Sequence, residues 1–152
     1  MENNNPSFEE RLQVSELLSR YCHAMDAGRA DLCATLFAKD ARLDTPVGVA
    51  EGRQAIQQWM QERIAQRPEG YRISHYLLNP IMAKVSIDCI RMRSMLIYTR
   101  QLFEEGAAPE LLSTGIYEDE VRLTNEGWQF MARHYQLAPP LDDIYFLKSQ
   151  NN

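Results

Sequence analysis

The fold of this chain is decided where its residue pattern changes, at the stretch Ile73-Ser74-His75-Tyr76-Leu77-Leu78-Asn79. This stretch belongs to a run of strand-forming residues, and three more runs of the same kind follow it. The four predicted strands cover residues 71–85, 90–103, 112–123 and 128–137. Thr124-Asn125-Glu126-Gly127, between the last two, is a hairpin turn signal. The second half of the chain therefore predicts long antiparallel strands.

Before this point the pattern is helical. Ser7 and Glu10 have the spacing of a capping box, which predicts the start of a first helix, and Gly28 is typical of its end. The apolar stripe of this helix comprises Leu12, Val14, Leu17, Leu18, Tyr21, Cys22 and Met25. We therefore predict a long helix that buries one face.

Shorter elements connect this helix to the strands. Residues 31–37 predict a second helix and residues 41–47 a short strand. A third helix is predicted after Gly52, ending before Pro68. Its apolar face comprises Ala55, Ile56, Trp59, Met60 and Ile64. Helices followed by antiparallel strands indicate an α+β domain. Three helices on one face of a strongly curved, mostly antiparallel sheet would form a cone-shaped α+β barrel that encloses a pocket.

Length and composition fit one globular domain, because the chain has 152 residues of which 45% are hydrophobic. We expect residues 1–6 to be disordered, residues 7–138 to form the domain, and residues 139–152 to be a C-terminal tail. The tail contains an apolar patch at residues 144–147. We expect this patch to close the mouth of the pocket or to contact a neighbouring subunit.

Charge and hydropathy argue against several partners. The net charge is −5 and no basic cluster occurs, so neither nucleic acid nor an anionic membrane is an expected partner. No apolar run approaches the roughly 20 residues that cross a bilayer. The first residues lack the basic and apolar regions of a secretory signal, so we expect a cytoplasmic protein.

The residues that commonly bind metals are few and scattered. The three cysteines, Cys22, Cys33 and Cys89, form no Cys-x-x-Cys pair and indicate buried thiols. The three histidines, His23, His75 and His134, have no ligand-like spacing, so we expect no metal site. Gly-rich phosphate loops are absent from the sequence, and we expect no cofactor.

His75 is the most informative single residue, because an imidazole lies in the middle of an otherwise apolar strand. A buried polar side chain needs a hydrogen-bond partner, and histidine exchanges protons near neutral pH. Asp26, near the end of the first helix, is the best partner that the sequence offers. A core histidine bonded to a backbone carbonyl is the alternative interpretation.

Four motifs extend over residues 8–138 and carry a family resemblance. They are Leu17-Leu18-Ser19-Arg20-Tyr21-Cys22-His23-Ala24-Met25-Asp26, Leu36-Phe37-Ala38-Lys39-Asp40-Ala41, Ser74-His75-Tyr76-Leu77-Leu78-Asn79 and Gly127-Trp128-Gln129-Phe130-Met131-Ala132-Arg133. In order and spacing they resemble the SnoaL-like branch of the nuclear transport factor 2-like superfamily. This resemblance implies the same cone-shaped fold.

Within that superfamily the chain is similar to scytalone dehydratase, bile-acid dehydratase and hexachlorocyclohexane dehydrochlorinase. The resemblance implies a His–Asp pair, His75 and Asp26, that abstracts a substrate proton. It implies that Tyr21 polarises a substrate oxygen and that Arg133 helps the departing group. Tyr21 stands where the dehydrochlorinase has a lysine, which favours dehydration or isomerisation over dehalogenation. We therefore predict a cofactor-free lyase or isomerase that acts on an apolar, oxygenated and cyclic small molecule.

Further residues are expected to bind the substrate. They are Tyr98, Asn79, Trp59, His134, Phe37, Leu96 and Met92. For Asn79 an anchor of the bend before Pro80 is an equal alternative. Strand alternation places His134 inside and Arg133 outside, whereas the resemblance places Arg133 inside; a β-bulge would reconcile the two.

Residues 74–137 also resemble the small subunit of aromatic-ring-hydroxylating dioxygenases. Those subunits are mainly structural, so a non-catalytic binding or scaffold module is the alternative function. Epoxide hydrolysis would need an Asp–Arg–Asp arrangement that the sequence does not assemble. Arg91, Arg93, Met95 and Ile97 mix charged and apolar surface on the outer face of the sheet, so we expect a homodimer or homotrimer.

Overall fold

The computed structural model of the protein describes residues 5–137. Its elements are α1 (Phe8–Asp26), α2 (Ala30–Thr35), β1 (Phe37–Thr45), β2 (Gly48–Glu51), α3 (Arg53–Ala65), β3 (Tyr71–Ser86), β4 (Cys89–Leu102), β5 (Glu110–Thr124) and β6 (Gly127–Leu137). The predicted order of three helices and four long strands is confirmed. The predicted tail patch at residues 144–147 lies outside the described residues.

The first half differs from the prediction at two places. Phe37 begins β1 instead of ending the second helix, which stops at Thr35. The sequence also does not predict β2, which pairs antiparallel with β1. A strand of four residues is too short to establish a period, so only its pairing defines it.

The six strands form one mixed sheet in the order β2-β1-β6-β5-β4-β3. The β1–β6 pair is parallel, and the other neighbours are antiparallel. The sheet is therefore mostly antiparallel, and the α+β class is confirmed. The β5–β6 hairpin turns between Thr124 and Gly127, as predicted.

Helix α1 is built as its capping signals predict. The Glu10 amide donates to the Ser7 hydroxyl at 3.2 Å, and the Ser7 amide donates to the Glu10 carboxylate at 2.7 Å. Gly28 follows the helix with φ +72°, a conformation that glycine adopts without strain. The buried face holds Val14, Leu17, Leu18, Tyr21 and Met25. Leu12 is exposed, because at about 100° per residue it lies on the side of the helix opposite Val14.

Helix α1 is attached to the sheet at several points along its length. Lys84 on β3 forms a 2.6 Å ion pair with Glu10, and the Trp128 indole on β6 donates to Gln13 at 3.0 Å. These polar contacts flank a core that includes Phe37, Ile56 and Phe130. They hold the N-terminal half of α1 over the inner face of the sheet.

Two irregularities bend the long strands. In β3, Leu78 pairs with Met95 and Ile81 with Arg93, so Asn79 and Pro80 lie opposite one residue. Asn79 has φ +52°, so it forms the bend before Pro80. In β6, Phe130 pairs with Val121 and Ala132 with Glu120, so Met131 is the extra residue of a β-bulge.

The outer face of the sheet exposes Tyr76, Leu78 and Met95. Assembly through this face stays a prediction. Within residues 5–137, no helix combines the length and the apolar character needed to cross a membrane.

Candidate active site

Side chains from both layers line one cavity of about 360 Å³. Its main contributors are Tyr21 and Met25 from α1, Trp59 from α3, His75 from β3, Leu96 and Tyr98 from β4, Tyr117 from β5 and Tyr135 from β6. Because strands from across the sheet line the same space, the inner face of the sheet curves around it. The volume lies in the range of small-molecule sites.

His75 and Asp26 meet in the wall of this cavity. Nδ1 of His75 lies 2.6 Å from Oδ1 of Asp26. The backbone amide of His75 also donates to the same carboxylate, at 3.2 Å to Oδ1 and 3.0 Å to Oδ2. The two side chains are 11% and 24% exposed. Asp26 therefore holds both the backbone and the ring of His75.

The local folding of each element explains this meeting. Asp26 is the last residue of α1, and α1 contacts β3 along its length. A carboxylate is disfavoured at a helix C-terminus by the helix dipole, but here it gains an amide and an imidazole as partners. On the sheet, His75 pairs directly with Tyr98, and the two rings are 4.6 Å apart between centroids. The tyrosine ring thus supports one side of the imidazole.

The contact at Nδ1 has a chemical consequence for the other ring nitrogen. A carboxylate at Nδ1 favours the tautomer with the proton on Nδ1, which leaves Nε2 as a proton acceptor. Within residues 5–137, Nε2 makes no hydrogen bond with another protein group. Nε2 is thus the ring nitrogen that is left to accept a proton.

Tyr21 lies deeper, at the base of the cavity. Burial raises the pKa of its hydroxyl well above the ordinary value, so the group stays protonated. Its ring lies at an edge-to-face angle to Tyr117, with centroids 6.3 Å apart. Burial likewise raises the pKa of Tyr117 to about 12. Both hydroxyls can therefore act as hydrogen-bond donors across the neutral pH range.

Arg133 lies behind these tyrosines and does not line the cavity. Its guanidinium is 4.0 Å from the ring centroid of Tyr21, 4.1 Å from that of Tyr117 and 4.4 Å from that of Phe130. Asp119 forms an ion pair with it, with Nε 3.0 Å from Oδ1. Arg133 is 1% exposed. The expectation that Arg133 helps the departing group by direct contact is therefore wrong, because its side chain does not reach the cavity. Arg133 acts at most as a positioning residue.

The bulge at Met131 decides which side chain of β6 faces inward. It shifts the alternation by one residue, so Arg133 is buried and His134 is exposed. The prediction that His134 binds substrate is wrong, because the uninterrupted alternation on which it depended ends at Met131. The predicted reconciliation by a bulge is confirmed.

The other predicted binding residues divide into two groups. Trp59, Leu96 and Tyr98 line the cavity. Asn79 does not, because it lies exposed at the bend of β3. Phe37 and Met92 are fully buried in the core and do not line the cavity. Sequence periodicity indicates that both side chains face the interior. It does not show whether an interior side chain is packed in the core or lines the cavity.

The lining residues that were not predicted from the sequence include Arg63, Arg67, Tyr117 and Tyr135. Arg63 follows Trp59 by four residues on α3 and therefore shares its face, a signal that could have identified it. Tyr117 pairs directly with Tyr135, and their rings stack at 4.9 Å. Cross-strand pairing of this kind depends on register, which the sequence leaves open.

Gly115 is required by the position of Tyr135. A Cβ at residue 115 would meet the Tyr135 ring and the Gln136 carbonyl oxygen closer than side chains tolerate. We expect Gly115→Ala to displace Tyr135 from the cavity wall and to destabilise the fold by about 1–3 kcal/mol, the usual cost of overpacking. Urea unfolding measures this cost.

The control for this prediction is the same substitution in a Tyr135→Ala background. Removing the ring removes one of the two clashes, so the added methyl should cost less there than in the wild type. An unchanged free energy of unfolding for Gly115→Ala alone would show that Tyr135 does not cover residue 115.

A larger depression of about 460 Å³ lies between α1 and the β5–β6 hairpin. Its lining includes Glu16, Arg20, Glu126 and Gln129, and it contains no histidine. Its two carboxylates form ion pairs, Glu16 with Arg20 and Glu126 with Arg53, so we take the His75 cavity as the candidate site. Within residues 5–137, no cluster of three or more His, Cys, Asp or Glu residues is arranged to hold a metal ion.

Uncharacterized proteins of Mycobacterium tuberculosis and Mycobacterium bovis are similar to this chain. They are 28% identical over 129 residues, which is 83% of this chain and 84% of each relative. No function comes from these relatives.

Solved structures share the fold. A scytalone dehydratase-like protein of Novosphingobium aromaticivorans has a TM-score of 0.73 at 22% identity, covering 86% of this chain and 85% of its own. An aromatic ring hydroxylase-like protein of the same organism has a TM-score of 0.76 at 24% identity, covering 90% and 94%. A Catenulispora acidiphila protein in complex with S-DNPA has a TM-score of 0.75 at 16% identity, covering 86% and 95%.

The sequence profile of the SnoaL-like domain matches residues 6–134. This match covers all of the helices and nearly all of the sheet, including His75 and Asp26. The chain therefore belongs to the SnoaL-like domain family.

Proposed function

We propose that this protein is a small cofactor-free lyase or isomerase of the dehydratase type. Its general base is His75, oriented by Asp26, and its substrate is an oxygenated, cyclic molecule with a largely apolar body. The observation that carries this proposal is the 2.6 Å contact between His75 Nδ1 and Asp26 Oδ1 in the wall of the cavity. Family membership supports an isomerase or dehydratase-type role or a ligand-binding role in general.

The reaction starts with proton transfer from carbon. Nε2 of His75 takes a proton from a C–H group next to a carbonyl, and the electron pair of the broken bond moves toward the carbonyl oxygen. Asp26 stabilises the imidazolium that results. The Tyr21 hydroxyl is a donor for the oxygen on which charge develops.

Two outcomes are open to this enolate. In an isomerisation, His75 returns the proton to another carbon of the same conjugated system. In an elimination, a hydroxyl on the β carbon leaves, and the proton that His75 carries completes the departing water on the same face. Both outcomes balance without a redox partner.

The test uses 1-tetralone, a bicyclic ketone with C–H groups next to its carbonyl. The rate at which these protons exchange for deuterium in D2O is followed by proton NMR. We expect the wild-type protein to accelerate the exchange well above the rate in buffer, and His134→Ala, which changes an exposed histidine, to match the wild type. Exchange at the buffer rate despite saturable ketone binding would contradict the proposal.

A non-catalytic binding module is the second candidate, favoured by the likeness of fold to the aromatic ring hydroxylase-like neighbour. In that function the same cavity holds a ligand and releases it unaltered, and His75 only connects β3 to α1. Co-purification with a larger Rieske-type chain, together with exchange at the buffer rate, would support it.

A further inference from the structure

The cavity that holds His75 contains two arginines, Arg63 and Arg67, that the proposed proton transfer does not use. Among its described lining residues there is no aspartate or glutamate. The remaining lining groups are apolar, aromatic or hydroxyl-bearing, apart from His75. One wall of the cavity is therefore positive and the rest is uncharged.

Neither arginine has an ion-pair partner within residues 5–137, where most other arginines pair with a carboxylate. Nε of Arg63 is buried without a hydrogen-bond partner, and its guanidinium lies 5.9 Å from the Trp59 ring centroid. Nη1 of Arg67 makes one long contact, 3.4 Å to the backbone carbonyl oxygen of Asp26. Half-buried guanidinium groups without a counter-charge are costly.

Asp26 does not neutralise this wall. Its carboxylate is occupied by the imidazole and the amide of His75. When His75 is neutral, the negative charge of Asp26 and the two positive charges of the arginines leave a net charge of one positive unit. When His75 takes a proton, the net charge rises to two positive units. A ligand with one negative charge would reduce this excess before and during the reaction.

We propose that the substrate of this cavity carries a carboxylate, which Arg63 and Arg67 bind, beside an apolar ring that packs on Trp59 and Tyr98. A carboxylate matches the planar guanidinium, which can donate two parallel hydrogen bonds to it. A volume of about 360 Å³ accommodates a ring system with one small acidic group. The carboxylate site lies in the same cavity as the proposed proton transfer, and the reaction that follows binding rests on the proposed function.

The test compares two probes of nearly equal shape, 2-naphthoate and neutral 2-naphthamide, by isothermal titration calorimetry. We expect the wild-type protein to bind the naphthoate about tenfold or more tightly than the amide, because charge-assisted hydrogen bonds are the stronger ones. We expect the double variant Arg63→Gln/Arg67→Gln to bind both probes equally. Equal binding by the wild type would overturn the inference.

Two controls define the role of the arginines. Arg72→Gln changes an exposed arginine on β3 outside the cavity, where its guanidinium donates to Gln101, and should keep the wild-type preference. The double variant Arg63→Lys/Arg67→Lys retains both positive charges. If the glutamine double variant fails to fold, the lysine variant is measured instead, and we expect it to keep part of the preference for naphthoate. A full preference in a folded glutamine double variant would overturn the inference.

The His75→Ala variant separates this inference from the proposed function. We expect it to retain the preference for naphthoate, because the arginines remain. A wild-type protein that exchanges ketone protons but binds both probes equally would overturn only the carboxylate site. One that prefers naphthoate but exchanges no protons would leave the anion site standing and remove the proposed reaction.

Discussion

Replacing His75 by alanine is expected to lower the rate of deuterium exchange into 1-tetralone by about 10²–10⁴-fold, the usual contribution of a positioned general base. The reason is geometric, because His75 lines the cavity and Asp26 occupies its Nδ1, which leaves Nε2 as the proton acceptor. The change also removes the imidazole that packs against Tyr98, but it keeps the hydrogen bonds from the backbone amide of residue 75 to the Asp26 carboxylate.

Two measurements keep this result interpretable. The far-ultraviolet circular dichroism and the urea midpoint of His75→Ala should show that the variant is folded. His134→Ala provides the matched control, because it removes an equal side chain from the solvent-exposed side of β6. If His75→Ala exchanged protons as fast as the wild type, His75 would not be the base, and its bond to Asp26 would be structural.

Replacing Asp119 by alanine is expected to have the largest effect on stability, a loss of about 3–5 kcal/mol in the free energy of unfolding. Asp119 and Arg133 are 3% and 1% exposed and face each other across β5 and β6. Their contacts are 3.0 Å from Nε to Oδ1 and 3.2 Å from Nη2 to Oδ2. The alanine variant would leave the guanidinium buried among three aromatic rings without its counter-charge.

The matched variant is Asp119→Leu/Arg133→Met, in which both charges are absent. Replacing a buried ion pair by apolar residues of similar volume is often close to neutral. We therefore expect the double variant to unfold at a higher urea concentration than Asp119→Ala. A loss below about 1 kcal/mol for Asp119→Ala, which is typical of an exposed pair, would show that water reaches Arg133.

The long elements of the fold could be predicted from sequence because their periods repeat many times. The 19 residues of α1 and the 16 of β3 give several turns or alternations to count. The capping box at Ser7 has a local cause and is equally visible. Strand β2 could not be predicted, because its four residues are defined only by their pairing with β1.

The candidate site could be predicted in part. His75 and Asp26, which are 49 residues apart, were brought together by a family resemblance and by the rule that a polar side chain in an apolar strand needs a partner. The inward direction of Arg133 could not be read from alternation, because one extra residue, Met131, reverses it. Arg63 could have been identified by its four-residue spacing from Trp59, whereas Arg67 follows the end of α3 at Ala65, where no helical period connects it to the cavity.

The most direct test of His75 as the general base is its tautomer, measured by nitrogen-15 NMR of the imidazole at a pH where the ring is neutral. We expect a protonated Nδ1, held by Asp26, and an unprotonated Nε2, and we expect Asp26→Asn to weaken this preference. A proton on Nε2 in the wild-type protein would contradict the role of His75 as the base, because that nitrogen could then not accept a proton from the substrate.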